Sequence, residues 1–159
     1  MTDLFAVIAE IGATIGGFAG LFVAFAAHRR QITDRERYAL LFLLFCSLGA
    51  ALLATLPFVL NAFHTPIAFP KMYCAVSGAA LIAIGIFSHA GRRGLTSRPR
   101  YPWVRLVLMP VHWTVVVVQL LPFLLVADPY ATYALALWWL LMMAAIQFVM
   151  QIAAVTHAD

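Results

Sequence analysis

The chain has 159 residues, 65% of them hydrophobic and 10% charged, with a formal net charge of +4 and a mean hydropathy of +0.97. Soluble domains carry about 25% charged residues, and a soluble fold of this size has too little interior for so much apolar surface. This excludes a separate soluble catalytic domain. The positive charge does not point to nucleic acid either, because the arginines fall almost wholly in two short segments between apolar runs, the pattern of positive-inside anchoring.

Five apolar segments are long enough, or nearly so, to cross the hydrocarbon core, which takes about 20 residues. They run approximately over 4–27, 38–63, 73–90, 106–126 and 131–155. The predicted fold class is therefore an all-α integral membrane protein, a compact single-domain bundle of five transmembrane helices. The start of the chain lacks the basic region and cleavage site of a signal peptide, so the first segment is expected to be retained. The 18-residue third segment is the weakest candidate, which leaves a four-span alternative.

The first span carries the polar signal. Glu10 lies about 9 Å below its starting end and shares a helix face with Ala13, Thr14, Gly17 and Leu21. Gly12, Gly16 and Gly20 form an adjacent stripe, with Ile11, Ile15, Phe18 and Phe22 on another side. Small residues at this spacing let membrane helices approach closely, so Gly12, Gly16, Gly17 and Gly20 are candidate packing positions. The spacing does not tell a contact within one chain from one between chains. No strand precedes these glycines and no Lys-Ser or Lys-Thr follows, so they are not a phosphate-cradling loop.

The first loop contains Arg29, Arg30, Arg35 and Arg37. The second span holds Ser47, Cys46, Pro57 and Asn61, and a proline there is expected to kink the helix. Residues 64–72, with Pro66 and Pro70, read as a loop. In the third span, Cys74 and Ser77 are near the start and His89 near the end, with Gly91 a candidate terminator. Arg92, Arg93, Arg98, Arg100 and Arg105 follow, with Tyr101 and Trp103 as interface anchors. The fourth span contains Pro110, His112, Gln119 and Pro122. Residues 127–130, Ala-Asp-Pro-Tyr, read as a tight turn, and the fifth span carries Trp138, Trp139, Gln147 and Gln151. The arginine-rich first and third loops face the cytoplasm under the positive-inside rule, placing the N-terminus outside and the C-terminus inside.

In that topology Cys46 and Cys74 differ in depth by more than a disulfide can bridge. They are expected as free, packed thiols. Glu10, Thr14, Asn61, Ser77 and Gln119 reach similar depths and form a candidate polar cluster able to bind a proton, a cation or a substrate. Ser47, His112, Gln147 and Gln151 form a second candidate cluster nearer the cytoplasm. Interhelical hydrogen bonding explains the second set, with haem ligation by His112 and His89 as a further option. No other cofactor and no metal site is expected. The chain has no His-Glu-x-x-His motif, no pair of membrane aspartates, and no base placed to activate Ser47 or Ser77, so no catalytic residue is assigned.

The stretch Ala9-Glu10-Ile11-Gly12-Ala13-Thr14-Ile15-Gly16-Gly17-Phe18-Ala19-Gly20, with Asp34-Arg35-x-Arg37, Ser47 and Leu56-Pro57, resembles a family of small, uncharacterised bacterial inner-membrane proteins. That resemblance implies a multi-pass location in the bacterial cytoplasmic membrane and no established activity. Locally, Ala9 to Thr14 also resembles the first helix of small multidrug-resistance transporters. In that family a first-span glutamate binds protons and cationic substrates within a dimer, and Glu10 is the one position matching it. The chain departs from the family in length, in its fifth span and in its basic loops. The reading favoured by the sequence is a small accessory or scaffold protein, held to membrane lipids and to a homo-oligomer or larger complex through its first helix. The alternatives are a small proton- or cation-coupled transporter or channel using Glu10, and a haem- or quinone-associated redox subunit.

Overall fold

The computed structural model describes residues 2–29, 33–62, 70–93, 102–125 and 127–156. Its elements in chain order are α1 (Thr2–Arg29), α2 (Asp34–Ala62), α3 (Pro70–Arg93), α4 (Pro102–Val118), α5 (Leu121–Leu124) and α6 (Pro129–Thr156). No strand occurs among the described residues. Five stretches are long and apolar enough to cross a membrane: Asp3–Phe22, Glu36–Leu60, Lys71–His89, Leu106–Leu124 and Pro129–Ala153. The fold is thus an all-α bundle of five long apolar helices. The third helix spans 24 residues, which removes the reason for the four-span alternative.

Local chemistry sets several helix ends. Thr33 opens α2 as a capping box. Its hydroxyl accepts the Glu36 N–H at 3.3 Å, while Glu36 Oε2 accepts the Thr33 N–H at 2.9 Å. Two orphan donors of the first turn thereby gain partners reciprocally. Asp128 caps α6, its Oδ1 accepting the Tyr130 N–H at 2.9 Å, and Pro129 follows at the first helical position, where a missing N–H costs nothing. Pro70 likewise starts α3 rather than belonging to the preceding loop. Gly91 does not end that helix, which continues to Arg93: a glycine permits a left-handed cap but does not impose one.

The fourth span differs most from expectation. It is not one helix over 106–126 but α4 and the one-turn α5, separated at Gln119 and Leu120. Pro122 is the cause. It has no N–H to give the Val118 carbonyl, and its ring clashes with a continuing helix. The backbone tightens instead: Leu120 N–H bonds Val117 O at 2.9 Å, and Phe123 N–H bonds Leu120 O at 3.0 Å, both three residues apart. Pro57 and Pro110, by contrast, sit inside α2 and α4 without ending them.

The chain divides into two compact units. One comprises residues 1–55 and 140–159, the other residues 56–139. The boundaries fall inside α2 and α6. In the first unit, α1 buries Phe5, Ile8, Gly12, Gly16 and Ala19, positions spaced three or four apart that form one helix face. Its packing against α2 is close: a Cβ added at Gly12 would lie 2.7 Å from the Ser47 carbonyl oxygen and 3.1 Å from the Ala51 nitrogen. In the second unit, Cys74, Ser77, Gly78, Leu81, Gly85 and Ser88 form the buried stripe of α3. Small residues at most of these positions leave room for larger polar side chains from α4 and the turn that follows it.

Candidate functional site

The polar residues of the second unit bring its helices together. At the α4–α5 break, the Gln119 side chain is 1% exposed. Its Oε1 accepts the Ser77 hydroxyl at 3.1 Å, and its Nε2 donates to the Thr132 carbonyl at 3.0 Å. One amide therefore ties α3, the break and the first turn of α6. Gly78 makes the approach possible, since a Cβ there would sit 3.3 Å from Gln119 Cβ. One helical turn earlier on α3, the Cys74 thiol lies 3.1 Å from both the Pro129 carbonyl and the Thr132 hydroxyl. Tyr73 packs against Tyr133, with ring centroids 5.4 Å apart.

His112 makes the next bridge. A carbonyl can only accept, so the 3.0 Å contact between His112 Nε2 and Leu81 O places the proton on Nε2. Trp139 Nε1–H donates to His112 Nδ1 at 3.1 Å, so Nδ1 is bare. These two partners define a neutral imidazole of fixed tautomer joining α3, α4 and α6. Gly85 leaves space for it: a Cβ there would come within 3.1 Å of His112 Nε2 and 3.3 Å of the Trp113 ring. With both nitrogens engaged, His112 has no lone pair for haem iron unless the Trp139 bond breaks and the tautomer changes. Among the described residues no group of three or more His, Cys, Asp or Glu is placed to hold a metal ion.

The sequence-derived clusters divide accordingly. Ser77 and Gln119 meet directly. Asn61 lies outside the residues whose side chains are described. Glu10 and Thr14 lie in the first unit on an exposed face of α1, and Thr14 donates its hydroxyl to the Glu10 backbone carbonyl at 2.8 Å. Among the described residues the Glu10 carboxylate has no hydrogen-bond or ion-pair partner. Of the second set, Ser47 turns its hydroxyl to Leu44 O in its own helix at 3.3 Å. Gln151 is buried and Gln147 half-buried in the first unit, while His112 belongs to the second. Cys46 and Cys74 are both free and buried.

The glycines of α1 separate into two groups. Gly12 and Gly16 face α2. A Cβ at Gly16 would meet Leu48 Cδ2 at 3.1 Å and Ser47 Oγ at 3.3 Å. Around Gly17 and Gly20 an added Cβ meets nothing within 4 Å. Glu10, Ala13, Thr14, Gly17 and Gly20 are exposed in the single chain. Trp138 is also exposed, whereas Trp139 is buried against His112. Tyr101 and the Trp103 side chain lie outside the described set.

Sequence reasoning missed the His112–Trp139 and Cys74–Thr132 contacts. The pertinent signal was available in part. Gly78 and Gly85, seven residues apart on one face of α3, mark the two places where large polar side chains from the neighbouring span insert. No protein-family model, curated protein or solved structure matches the chain.

Proposed function

We propose that this protein is a small integral membrane assembly subunit, which uses the outward face of α1 to join a homo- or hetero-oligomer. The observation that carries this reading is the division of the α1 glycines. Gly12 and Gly16 are consumed by packing against α2, while Gly17 and Gly20 front open space on the same helix as the exposed Glu10, whose carboxylate has no partner among the described residues. In a bilayer, small residues let a neighbouring helix approach closely, and an ionisable group within a span calls for a partner. The polar bridges of the second unit are internal to it and serve as helix-to-helix ties.

The resemblance of Ala9–Gly20 and its following motifs to small bacterial inner-membrane proteins supports a place in that membrane. The arginines of the first and third loops support an N-terminus on the non-cytoplasmic side. A transport reading rests on the same carboxylate: an assembly that closes around Glu10 creates a site for a proton or cation.

The test is the protein mass, with lipid subtracted, of the particle extracted with its native lipid. Wild type is expected to exceed the 17.5 kDa of one chain, and Gly17→Leu, at a position where an added Cβ meets nothing within 4 Å, is expected to reduce it to that mass. Particles of one chain for both proteins would overturn the assembly reading.

A further inference from the structure

Glu10 specifies what kind of helix would cover this face. It lies seven residues beyond Asp3 in the first apolar stretch, exposed, with no side-chain partner among the described residues. A second copy of the chain brings no suitable counter-charge. The basic residues Arg37, Lys71 and His89 are at the ends of their apolar stretches, and His112 has both ring nitrogens bound to Leu81 and Trp139. Thr14, one turn away, has its hydroxyl on the backbone. Two copies meeting on this face would set Glu10 against apolar residues or against another Glu10, and like charges at close range repel.

We infer that the occupant of this face is a transmembrane helix of a different protein, carrying a lysine or arginine at the depth of Glu10. This deepens the assembly reading and rests on it. Charge complementarity carries the choice of partner: a carboxylate in the hydrocarbon region pairs or loses its charge, and the small residues beside it let a long basic side chain and its helix approach. Ala13 and Gly17, one and two turns along from Glu10, provide the flat surface for that helix. Exposed Phe18 and Leu21 border it with apolar contact. The partner's guanidinium or ammonium forms a charge-assisted hydrogen bond to the Glu10 carboxylate, stronger than a neutral one.

The experiment uses the full chain in lipid vesicles with synthetic leucine–alanine helices of about 20 residues. One has a single lysine seven residues from an end, and its control has leucine there. Association is read by energy transfer, and self-association of the chain is measured alongside. The lysine helix is expected to bind about tenfold or more tightly than the leucine helix. Glu10→Gln should remove that preference, and Glu10→Lys should transfer it to a helix carrying glutamate. An unchanged helical circular-dichroism spectrum in both variants shows that the fold is kept. If the chains self-associate through Gly17 but the lysine and leucine helices bind equally, the charged-partner inference is overturned and the assembly reading stands. If neither the chains nor the helices associate, both are overturned.

Discussion

Replacing Gly12 by alanine tests how α1 is held. The added methyl would lie 2.7 Å from the Ser47 carbonyl oxygen, 0.7 Å inside the 3.4 Å at which ordinary contact begins, and 3.1 Å from the Ala51 nitrogen. Both of those atoms are backbone, so no rotamer change relieves the clash and α1 must lift from α2. Overpacking of this kind costs about 1–3 kcal/mol, against a gain of about 1 kcal/mol from replacing a helical glycine by alanine. At Gly17 nothing lies within 4 Å of the added methyl, so only the gain remains. The propensity term is common to both variants and cancels in the comparison. Gly12→Ala should therefore be about 1–3 kcal/mol less stable than Gly17→Ala. Reversible unfolding in mixed micelles, at dilution low enough to hold the chain monomeric, measures this difference. Equal stabilities, or a more stable Gly12→Ala, would refute the close approach of α1 to α2. Gly16→Ala should fall between them, because its nearest contact is the movable end of Leu48.

The remaining predictions concern the internal ties. Gln119→Leu removes both side-chain bonds of the α4–α5 break and should destabilise the protein by about 1–2 kcal/mol in the same unfolding measurement; an unchanged midpoint would show that the amide is dispensable. Trp139→Phe and His112→Phe should each lose about 1 kcal/mol or more. Their double mutant should lose less than the sum, because they share one hydrogen bond, and strict additivity would argue against that bond. Thr33→Ala should cost about 0.5–2 kcal/mol through loss of the α2 cap, with faster amide exchange expected in the first turn of α2 and no change in α6. Gly85→Ala should displace the imidazole and shift the Trp139 fluorescence, whereas Ala83→Gly, at an exposed position on the same helix, should leave that spectrum unaltered.

Much of the architecture was legible because a bilayer permits so few solutions. Backbone groups in hydrocarbon must be bonded within the segment, so each long apolar run has to be a helix, and five runs became five long helices. The break in the fourth was harder to read. Pro57, Pro110 and Pro122 all lie in apolar runs, yet only Pro122 interrupts its helix, at a point where Gln119 has partners on two other helices to stabilise the turn. Ser77 and Gln119 could be matched by depth. The partnership of His112 with Trp139 could not, because depth says nothing about which helices are neighbours.

The same limit separates the two faces of α1. Sequence by itself determined that Gly12, Gly16 and Gly20 align, that Glu10 and Gly17 share the adjoining face, and that no lysine or arginine lies deep in a span, since these follow from a 3.6-residue repeat and a hydropathy pattern. Only the tertiary structure decided that Gly12 and Gly16 meet Ser47, Leu48 and Ala51 while Gly17 and Gly20 remain open. The periodicity of one helix defines its stripes. Which stripe is buried depends on where a second helix crosses it, and that is a property of the pair.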